Sequence, residues 1–233
     1  MKKVEIIHET LEYSINEAYK TLRTNLEFCG DDIKVIMFTS CTPNEGKSTV
    51  SMELCKTLAD GGKKVLFVDA DLRKSVLVAR YSIGKVKGLS HYLTGQAKME
   101  EIIYETDITG LHVVFAGPVT PNPTELLGNR YFEKLIAGAK NDYDYIIVDA
   151  PPLGSVIDAA IIAKQCDGTM FLISNDTISY RFAQNVKKQI EKTGCKILGV
   201  VLNKVDIESS GYYNGYYNGY YKKYYGKYYG NAE

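Results

Sequence analysis

Short apolar segments alternate with longer amphipathic segments between residues 34 and 203. The apolar segments are rich in β-branched residues and are too short for helices, which is typical of strands that are buried on both faces. The predicted buried strands are Val35–Thr39, Val65–Val68, Leu111–Phe115, Tyr145–Val148, Thr169–Ile173 and Ile197–Leu202. Helical patterns lie between them, near residues 48–60, 124–139, 155–165 and 179–193.

This alternation predicts the α/β fold class, with a mostly parallel, doubly wound sheet and helices on both of its faces. Ligands of such sheets bind beyond the carboxyl ends of the strands. A further helix is predicted before the sheet, from Ser14 to about Phe28, because Ser14 and Glu17 have the spacing of a capping box.

The C-terminal end of the chain has a different composition. From Gly211 onward, pairs of tyrosines alternate with pairs of polar or glycine residues. The only aliphatic residue there is Ala232, so the segment cannot build a core and is predicted to be a disordered tail. The chain is therefore expected to comprise a helical segment (1–30), an α/β domain (31–206) and a flexible tyrosine-rich tail (207–233).

The composition restricts the classes of function. The chain carries 28 basic and 28 acidic residues, and this balance argues against capture of nucleic acid or of a membrane by the protein as a whole. Its five scattered cysteines include no CxxC pair, which favours a reducing cytosol over a disulfide framework or a zinc site. No apolar run approaches 18 residues, so membrane association is expected to require a partner.

A phosphate-binding loop is predicted after the first buried strand, where CTPNEGKST precedes a helix. The segment matches the Walker A pattern GxxxxGK followed by Ser or Thr, except that Cys41 occupies the first glycine position. Backbone N–H groups of such a loop and the helix N-terminus bind phosphate. Lys47 is expected to reach the β and γ oxygens and Ser48 to ligate Mg²⁺. The predicted nucleotide-binding residues of the loop are Thr42, Pro43, Asn44, Glu45, Gly46, Lys47, Ser48 and Thr49.

Two further strands end in aspartates. Asp69 and Asp71 follow one strand at a spacing of two, which predicts handling of Mg²⁺ or protons, with a capped loop as the alternative. Asp149 ends another strand as a Walker B acid and is a candidate Mg²⁺ ligand. Asp158, in the next helix, is interpreted as a solvated or capping residue. The candidate catalytic residues are Lys47, Asp69, Asp71 and Asp149, and the candidate metal ligands are Ser48, Asp71 and Asp149.

The motifs SCTPNEGKST, VDADLRK and IIVDAPP together resemble the Walker A, A′ and B motifs of the bacterial tyrosine kinases of the capsular and exopolysaccharide type. GPVTPNPTELL, LGVVLNKVD and the tyrosine-rich tail also resemble that family, so the resemblance covers nearly the whole chain. It implies a P-loop enzyme that uses ATP and Mg²⁺ to phosphorylate tyrosines, including its own, and regulates capsular or extracellular polysaccharide synthesis and export. The tyrosines expected to be phosphorylated are Tyr212, Tyr213, Tyr216, Tyr217, Tyr220, Tyr221, Tyr224, Tyr225, Tyr228 and Tyr229.

The resemblance also implies partners. Glu17, Lys20 and Arg23 resemble the E-x-x-R-x-x-R subunit-contact motif of the family, with Lys20 where arginine is expected. They are therefore candidate contacts of a homo-oligomeric ring, and a solvated charged face is the alternative. A separate transmembrane activator and a cognate tyrosine phosphatase are expected, which would hold a cytoplasmic protein at the inner face of the membrane.

The tail can reach a neighbouring copy. A coil of the 23 residues from Asp206 to Tyr229 would span roughly 24–29 Å, against a radius of gyration of about 17 Å for the preceding domain. A tyrosine phenol has a pKa of about 10 and needs a base at neutral pH. Asp69 or Asp71 is the candidate base. Lys47 and Mg²⁺ would neutralise charge on the transferred group.

Other functions compete with this interpretation. Partition-type and cell-division-site ATPases carry a second lysine at the position of Thr42, and its absence argues against that class. The segment Asn203–Asp206 spells the guanine-reading NKxD of GTPases, but DAPP replaces their DxxG, so Asn203 becomes a candidate adenine contact. A non-catalytic adaptor is a third alternative. The tail itself could be adhesive, form Asn-Gly hairpins or stack on single-stranded nucleic acid, although its weak basic charge argues against nucleic acid.

Overall fold

The computed structural model describes residues 2–6, 11–175 and 177–205. The predicted tail and its ten tyrosines lie outside the described residues. The described strands are β1 (Lys2–Val4), β2 (Val35–Ser40), β3 (Val65–Asp69), β4 (Ile103–Thr106), β5 (Leu111–Val114), β6 (Tyr145–Asp149), β7 (Gly168–Ser174) and β8 (Lys196–Asn203). The described helices are α1 (Tyr13–Glu27), α2 (Lys47–Asp60), α3 (Leu77–Arg80), α4 (Leu89–Leu93), α5 (Met99–Ile102), α6 (Pro123–Leu127), α7 (Arg130–Ala139), α8 (Asp158–Ala163) and α9 (Tyr180–Glu191).

These strands form one sheet in the order β1-β4-β5-β3-β6-β2-β7-β8. Its paired strands are parallel, except that β4 and β5 are antiparallel. Alternate residues of β2 point to opposite faces of the sheet, where two apolar cores lie. Val35 and Met37 join a core shared with helices α4 to α9, while Ile36 and Phe38 join a core shared with α1, α2 and α3. The predicted α/β fold, with a mostly parallel sheet covered on both faces, is confirmed.

The sheet order brings the three strands that carry the motifs together. Strands β3, β6 and β2 are consecutive neighbours, so their carboxyl ends meet at one edge. Asp69 and Asp149 are register partners at the ends of β3 and β6, and the phosphate loop follows β2 directly. The fold therefore places the Walker A, A′ and B segments side by side.

Two predicted helix boundaries are wrong. The segment 124–139 forms two helices, because α6 ends at Leu127 and Asn129 caps α7 by accepting hydrogen bonds from Tyr131 N and Phe132 N. The capping box at Ser14 does not form, because α1 begins at Tyr13 and Ser14 lies inside the helix. The residue before the helix is Glu12, whose side chain makes no capping hydrogen bond.

The last strand is not buried as predicted. β8 is an edge strand with β7 as its only neighbour among the described strands, so Val200 and Leu202 are 56% and 42% exposed. The sequence pattern also gave no sign of β1 and β4, which pair with each other at the other end of the sheet. Within the described ranges, no helix is long and apolar enough to cross a membrane.

Candidate active site

The phosphate loop connects β2 to the first turn of α2. Gly46 precedes the helix with a left-handed φ of 95°, and a Cβ at this position would lie 2.2 Å from Asn203 Nδ2. A side chain is therefore excluded there both by conformation and by space. Lys47, Ser48 and Thr49 form the first turn of α2. The predicted loop residues are thus gathered at a helix N-terminus, where backbone N–H groups and the helix dipole favour phosphate.

The buried side chain of Glu45 stabilises the phosphate loop through hydrogen bonds on the loop's inner side. One carboxylate oxygen accepts hydrogen bonds from Thr42 N and from Thr42 Oγ1, the second at 3.0 Å. The other oxygen accepts from Ser174 N at the end of β7, at 2.9 Å. Glu45 therefore ties the start of the loop to a neighbouring strand, and its backbone is the part left to face a nucleotide.

The end of β8 also contacts the loop. Asn203 Nδ2 donates to Glu45 O at 2.8 Å, and Lys204 Nζ donates to Asn44 O at 2.7 Å. Asn44 adopts a left-handed φ of 66°, so the loop backbone turns sharply at the residue that Lys204 contacts. Asn203 thus lies against the phosphate loop, and its role as an adenine contact stays a prediction.

Lys47 forms a buried ion pair with the Walker B acid. Its ammonium lies 2.9 Å from Asp149 Oδ1, and both side chains are less than a tenth exposed. Burial alone would lower the pKa of Lys47, but Asp149, Asp71 and Asp69 raise it more strongly, so the net pKa is raised. The lysine is therefore charged at neutral pH, as phosphate binding requires.

Asp69 has the electrostatics of a proton acceptor. Burial first, and then the neighbouring Asp149, raise its pKa from 3.8 to about 7, although Ser75 Oγ donates a hydrogen bond to its carboxylate and Lys47 lies near. A carboxyl group with this pKa exchanges its proton near neutral pH. Asp71 N donates to Asp69 Oδ1 at 3.2 Å, so the two predicted aspartates are directly connected.

Asp71 faces a pocket of about 230 Å³. The pocket is lined by the phosphate loop, by Arg73 and Arg80, and by the prolines Pro151 and Pro152 that follow β6. Asp69 and Asp149 are buried and do not line it. The loop residues 42–49 and Asp71 therefore share one opening, with the other two carboxylates inside the fold.

The candidate metal ligands fit Mg²⁺ by their chemistry. Ser48, Asp71 and Asp149 offer hydroxyl and carboxylate oxygens, which are the donors that this cation prefers. Among the described residues, no three His, Cys, Asp or Glu side chains form a group that could hold a metal alone. Mg²⁺ is commonly held by one or two carboxylates together with water and substrate phosphates, so the donor set suits a cation that binds with a nucleotide.

The interpretation of Asp158 as a solvated residue is wrong. Its side chain is buried and accepts hydrogen bonds from Arg73 Nε at 2.6 Å, Arg73 Nη2 at 3.0 Å and Thr124 Oγ1 at 2.6 Å. Burial would raise the pKa of Asp158, but the bonds from Arg73 and Thr124 lower it more, so the carboxylate is charged. Its partner Arg73 belongs to the VDADLRK motif, and an arginine in that motif was the one feature of the sequence that could have indicated a paired acidic residue.

A second arginine was also missed. Arg80 Nη1 donates to Thr49 Oγ1 at 2.8 Å, so a cation lies beside a predicted nucleotide-binding residue of the loop. Arg80 ends the four-residue helix α3, which the sequence pattern did not predict.

The three predicted oligomer contacts lie on α1. Lys20 Nζ pairs with Glu17 Oε1 at 2.7 Å on the exposed surface of the helix. Arg23 Nη1 instead donates to Thr57 O of α2 within the same chain, at 2.9 Å. The role of these residues between subunits stays a prediction.

A parallel sheet with a Walker A loop at its carboxyl edge, facing Walker A′ and B aspartates, defines a P-loop nucleotide-binding protein. The AAA domain family model matches residues 33–193. The Tyrosine-protein kinase CpsD of Streptococcus agalactiae is 43% identical over 215 residues, covering 91% of this chain and 94% of that protein. The chain therefore belongs to the family of bacterial tyrosine-protein kinases, and the resemblance predicted from its motifs is confirmed.

Solved structures agree with this placement. The kinase domain of the Escherichia coli tyrosine kinase ETK matches with a TM-score of 0.81 and 29% identity, covering 90% of both chains. The septum site-determining protein MinD of Pyrococcus horikoshii OT3, solved with Mg-ADP, matches with a TM-score of 0.63 and 27% identity. That match covers 72% of this chain and 69% of the MinD chain, so the likeness to the kinase domain is both closer and more complete.

Proposed function

We propose that this protein transfers the γ-phosphoryl group of MgATP to tyrosines of its own C-terminal cluster on a neighbouring copy. Through that reaction it would regulate the synthesis and export of capsular or extracellular polysaccharide. The observation that carries the proposal is the geometry of the site: Lys47 of the phosphate loop pairs with the Walker B acid Asp149, Asp69 is the register partner of Asp149, and Asp71 lies at the wall of the pocket that the loop lines. The family supplies the class of reaction, protein-tyrosine phosphorylation.

Nucleotide binding would begin at the phosphate loop. Backbone N–H groups at the start of α2 would bind the phosphates, and Lys47 would exchange its contact with Asp149 for the β and γ oxygens. Asn203 remains the candidate contact for the adenine, at the edge of the loop. Ser48, Asp71 and Asp149 would hold Mg²⁺, whose chemistry is to neutralise negative charge on the phosphate oxygens.

The phenol oxygen of a tail tyrosine would attack the γ-phosphorus as the bond to the β–γ bridging oxygen breaks, leaving ADP. The phenol proton would pass to Asp69 or Asp71: Asp69 is buried, with a pKa of about 7 that lies between that of an ordinary carboxylate and that of the phenol, and Asp71 lies on the pocket wall. Asp71 also accepts hydrogen bonds from the backbone N–H groups of Arg73 and Lys74, which hold its carboxylate at the pocket wall in a position that suits a metal ligand. Most of the acceleration would come from positioning and charge neutralisation.

Three parts of the chain would take separate tasks. Residues 1–30 would provide the oligomer contact through Glu17, Lys20 and Arg23, residues 31–206 would hold the kinase site, and residues 207–233 would carry the substrate tyrosines. A separate transmembrane activator would bring the protein to the inner face of the cell membrane. A cognate tyrosine phosphatase would remove the phosphates from the tail tyrosines.

The proposal is tested by incubating the full chain with its activator and radiolabelled ATP, followed by phosphotyrosine detection and mass spectrometry. Label on tyrosines between Tyr212 and Tyr229 is expected. ATP hydrolysis without phosphotyrosine would instead indicate a positioning ATPase of the partition type, the alternative that shares this fold.

A further inference from the structure

Asp158 is a buried carboxylate to which the proposed reaction gives no task. Helix α8 begins at this residue, and its side chain is fully buried. All of its hydrogen bonds come from Arg73 and Thr124, which lie 85 and 34 residues away in sequence. Thr124 Oγ1 also accepts from Arg73 Nη2 at 3.2 Å, so the three side chains form one connected network.

Arg73 belongs to the turn that presents Asp71 to the nucleotide pocket. The backbone N–H groups of Arg73 and Lys74 donate to Asp71 Oδ1 at 3.2 and 3.0 Å. The same arginine therefore holds Asp71 through its backbone and Asp158 through its side chain. The turn is thereby joined to α8 through Asp158 and to α6 through Thr124.

We infer that the Arg73–Asp158–Thr124 network is a positioning device that fixes the Asp71 carboxylate for magnesium-bound nucleotide. The inference rests on the proposed function, which makes Asp71 a metal ligand. Mg²⁺ requires near-ideal octahedral geometry, so a ligand that shifts by a fraction of an ångström binds it less well. A turn held only by its own backbone bonds would leave Asp71 free to shift.

The chemistry of the network suits this task. A guanidinium presents its N–H groups in a planar fork that a carboxylate accepts at two points, which fixes direction as well as distance. Lysine keeps the charge but offers one rotating ammonium, so it cannot define the orientation of the turn in the same way. Because Asp158 is buried, the carboxylate end of the pair cannot exchange its partners for water.

A purely structural contact makes a different prediction. If the network only joined α8 to α6, weakening it would lower stability and would affect nucleotide binding equally with and without Mg²⁺. A positioning role predicts that the contribution of Mg²⁺ is lost selectively. The effect of the metal on nucleotide affinity therefore separates the two roles.

The experiment is isothermal titration of the full chain with ADP, in Mg²⁺ and in EDTA, for wild type, Arg73→Lys and Asp158→Asn. For Asp158→Asn, whose side chain does not line the pocket, we expect metal-free ADP affinity within about twofold of wild type, and for both variants an Mg²⁺-dependent gain in affinity that falls about tenfold or more. Glu101→Gln, which removes the exposed Lys87–Glu101 pair, is the matched control and should keep the full gain.

A second pair of variants tests the hydroxyl. Thr124→Ser keeps the group that donates to Asp158 and is expected to retain more of the Mg²⁺ gain than the isosteric Thr124→Val. The Arg73 side chain is partly exposed, so Arg73→Lys should fold even if Asp158→Asn does not. An undiminished Mg²⁺-dependent gain in ADP affinity in Arg73→Lys would overturn the inference. Equal losses with and without Mg²⁺ would also overturn it. A wild-type protein without any Mg²⁺ gain would instead contradict the metal assignment of the proposed function.

Discussion

Asp69 and Asp149 lie directly opposite each other at the carboxyl ends of two adjacent parallel strands, and both side chains are buried. Lys47 contacts one of them, and Asp71 adds a third carboxylate at the pocket wall. One ammonium cannot balance three carboxylates at this edge of the sheet. Burial, and then the negative charge of Asp149, raise the pKa of Asp69, and the excess negative charge suits a site that would accept a divalent cation.

The stability of the metal-free protein is expected to depend on Asp69 between about pH 4 and pH 7. The pKa of Asp69 is about 7 in the folded protein and 3.8 ordinarily, so the folded state binds the proton more tightly. The contribution of Asp69 to stability is therefore fully present below about pH 4 and is lost as pH rises through about 7. Urea unfolding of wild type and Asp69→Asn across this range should show wild type losing stability relative to the variant. Parallel curves would contradict the raised pKa.

Lys47→Met is expected to abolish phosphotyrosine formation and to lower stability. The substitution leaves Asp149 buried without its cation, a change that costs about 3 kcal/mol. Circular dichroism should remain that of the folded wild type, and urea unfolding should report the loss. Adding Asp149→Asn to Lys47→Met should recover part of the stability without restoring phosphorylation. Persistent tyrosine phosphorylation in Lys47→Met would remove this lysine from the mechanism.

Glu45→Ala is expected to weaken ADP binding in the absence of metal. Thr42 N and Ser174 N would both lose their acceptor, and an unpaired buried N–H group costs about 1–3 kcal/mol. The loop should therefore lose its bound conformation, and ADP affinity in EDTA should fall about tenfold or more in a calorimetric titration. Glu133→Ala, an exposed residue in the first turn of α7, is the control. Unchanged affinity in Glu45→Ala would show that the loop holds its shape without this side chain.

Phosphorylation is expected to dissociate the oligomer. Each phosphotyrosine adds about −1.5 to −2 charge at pH 7, so ten would add on the order of −15 to −20 to a chain with balanced charges. Light scattering should give a smaller mass for protein incubated with MgATP and activator than for phosphatase-treated protein. Equal masses, with phosphotyrosine confirmed by mass spectrometry, would argue against electrostatic dissociation.

The central strands could be predicted from the sequence because burial on both faces leaves an unbroken apolar run. β2, β3 and β6 match their predicted positions to within one residue. β1 could not be found in this way, since Lys2–Val4 is short, carries two lysines and gains its place by pairing with β4. The sequence predicted strand β8 but not its exposure, because an edge strand can have the same apolar pattern as a central strand.

The same contrast applies to the site. Lys47 and Asp149 could be predicted because Lys47 lies in the loop motif after β2 and Asp149 ends the apolar strand β6, and the fold then brings them together. The Arg73–Asp158 pair could not, because 85 residues separate its members and a helical aspartate gives no sign of whether it faces water or a buried arginine. Glu45 was assigned to the loop correctly, but its bond to Ser174 depends on the packing of β7 beside β2.

Transfer between copies is tested most directly by mixing two proteins that cannot label themselves. A Lys47→Met full chain supplies tyrosines without a functional phosphate loop, and a chain ending at residue 206 supplies the loop without the tail. With MgATP and activator, we expect phosphotyrosine between Tyr212 and Tyr229 of the Lys47→Met chain. A bare tail in this mixture, under conditions in which wild type labels its own tail, would contradict transfer between neighbouring copies.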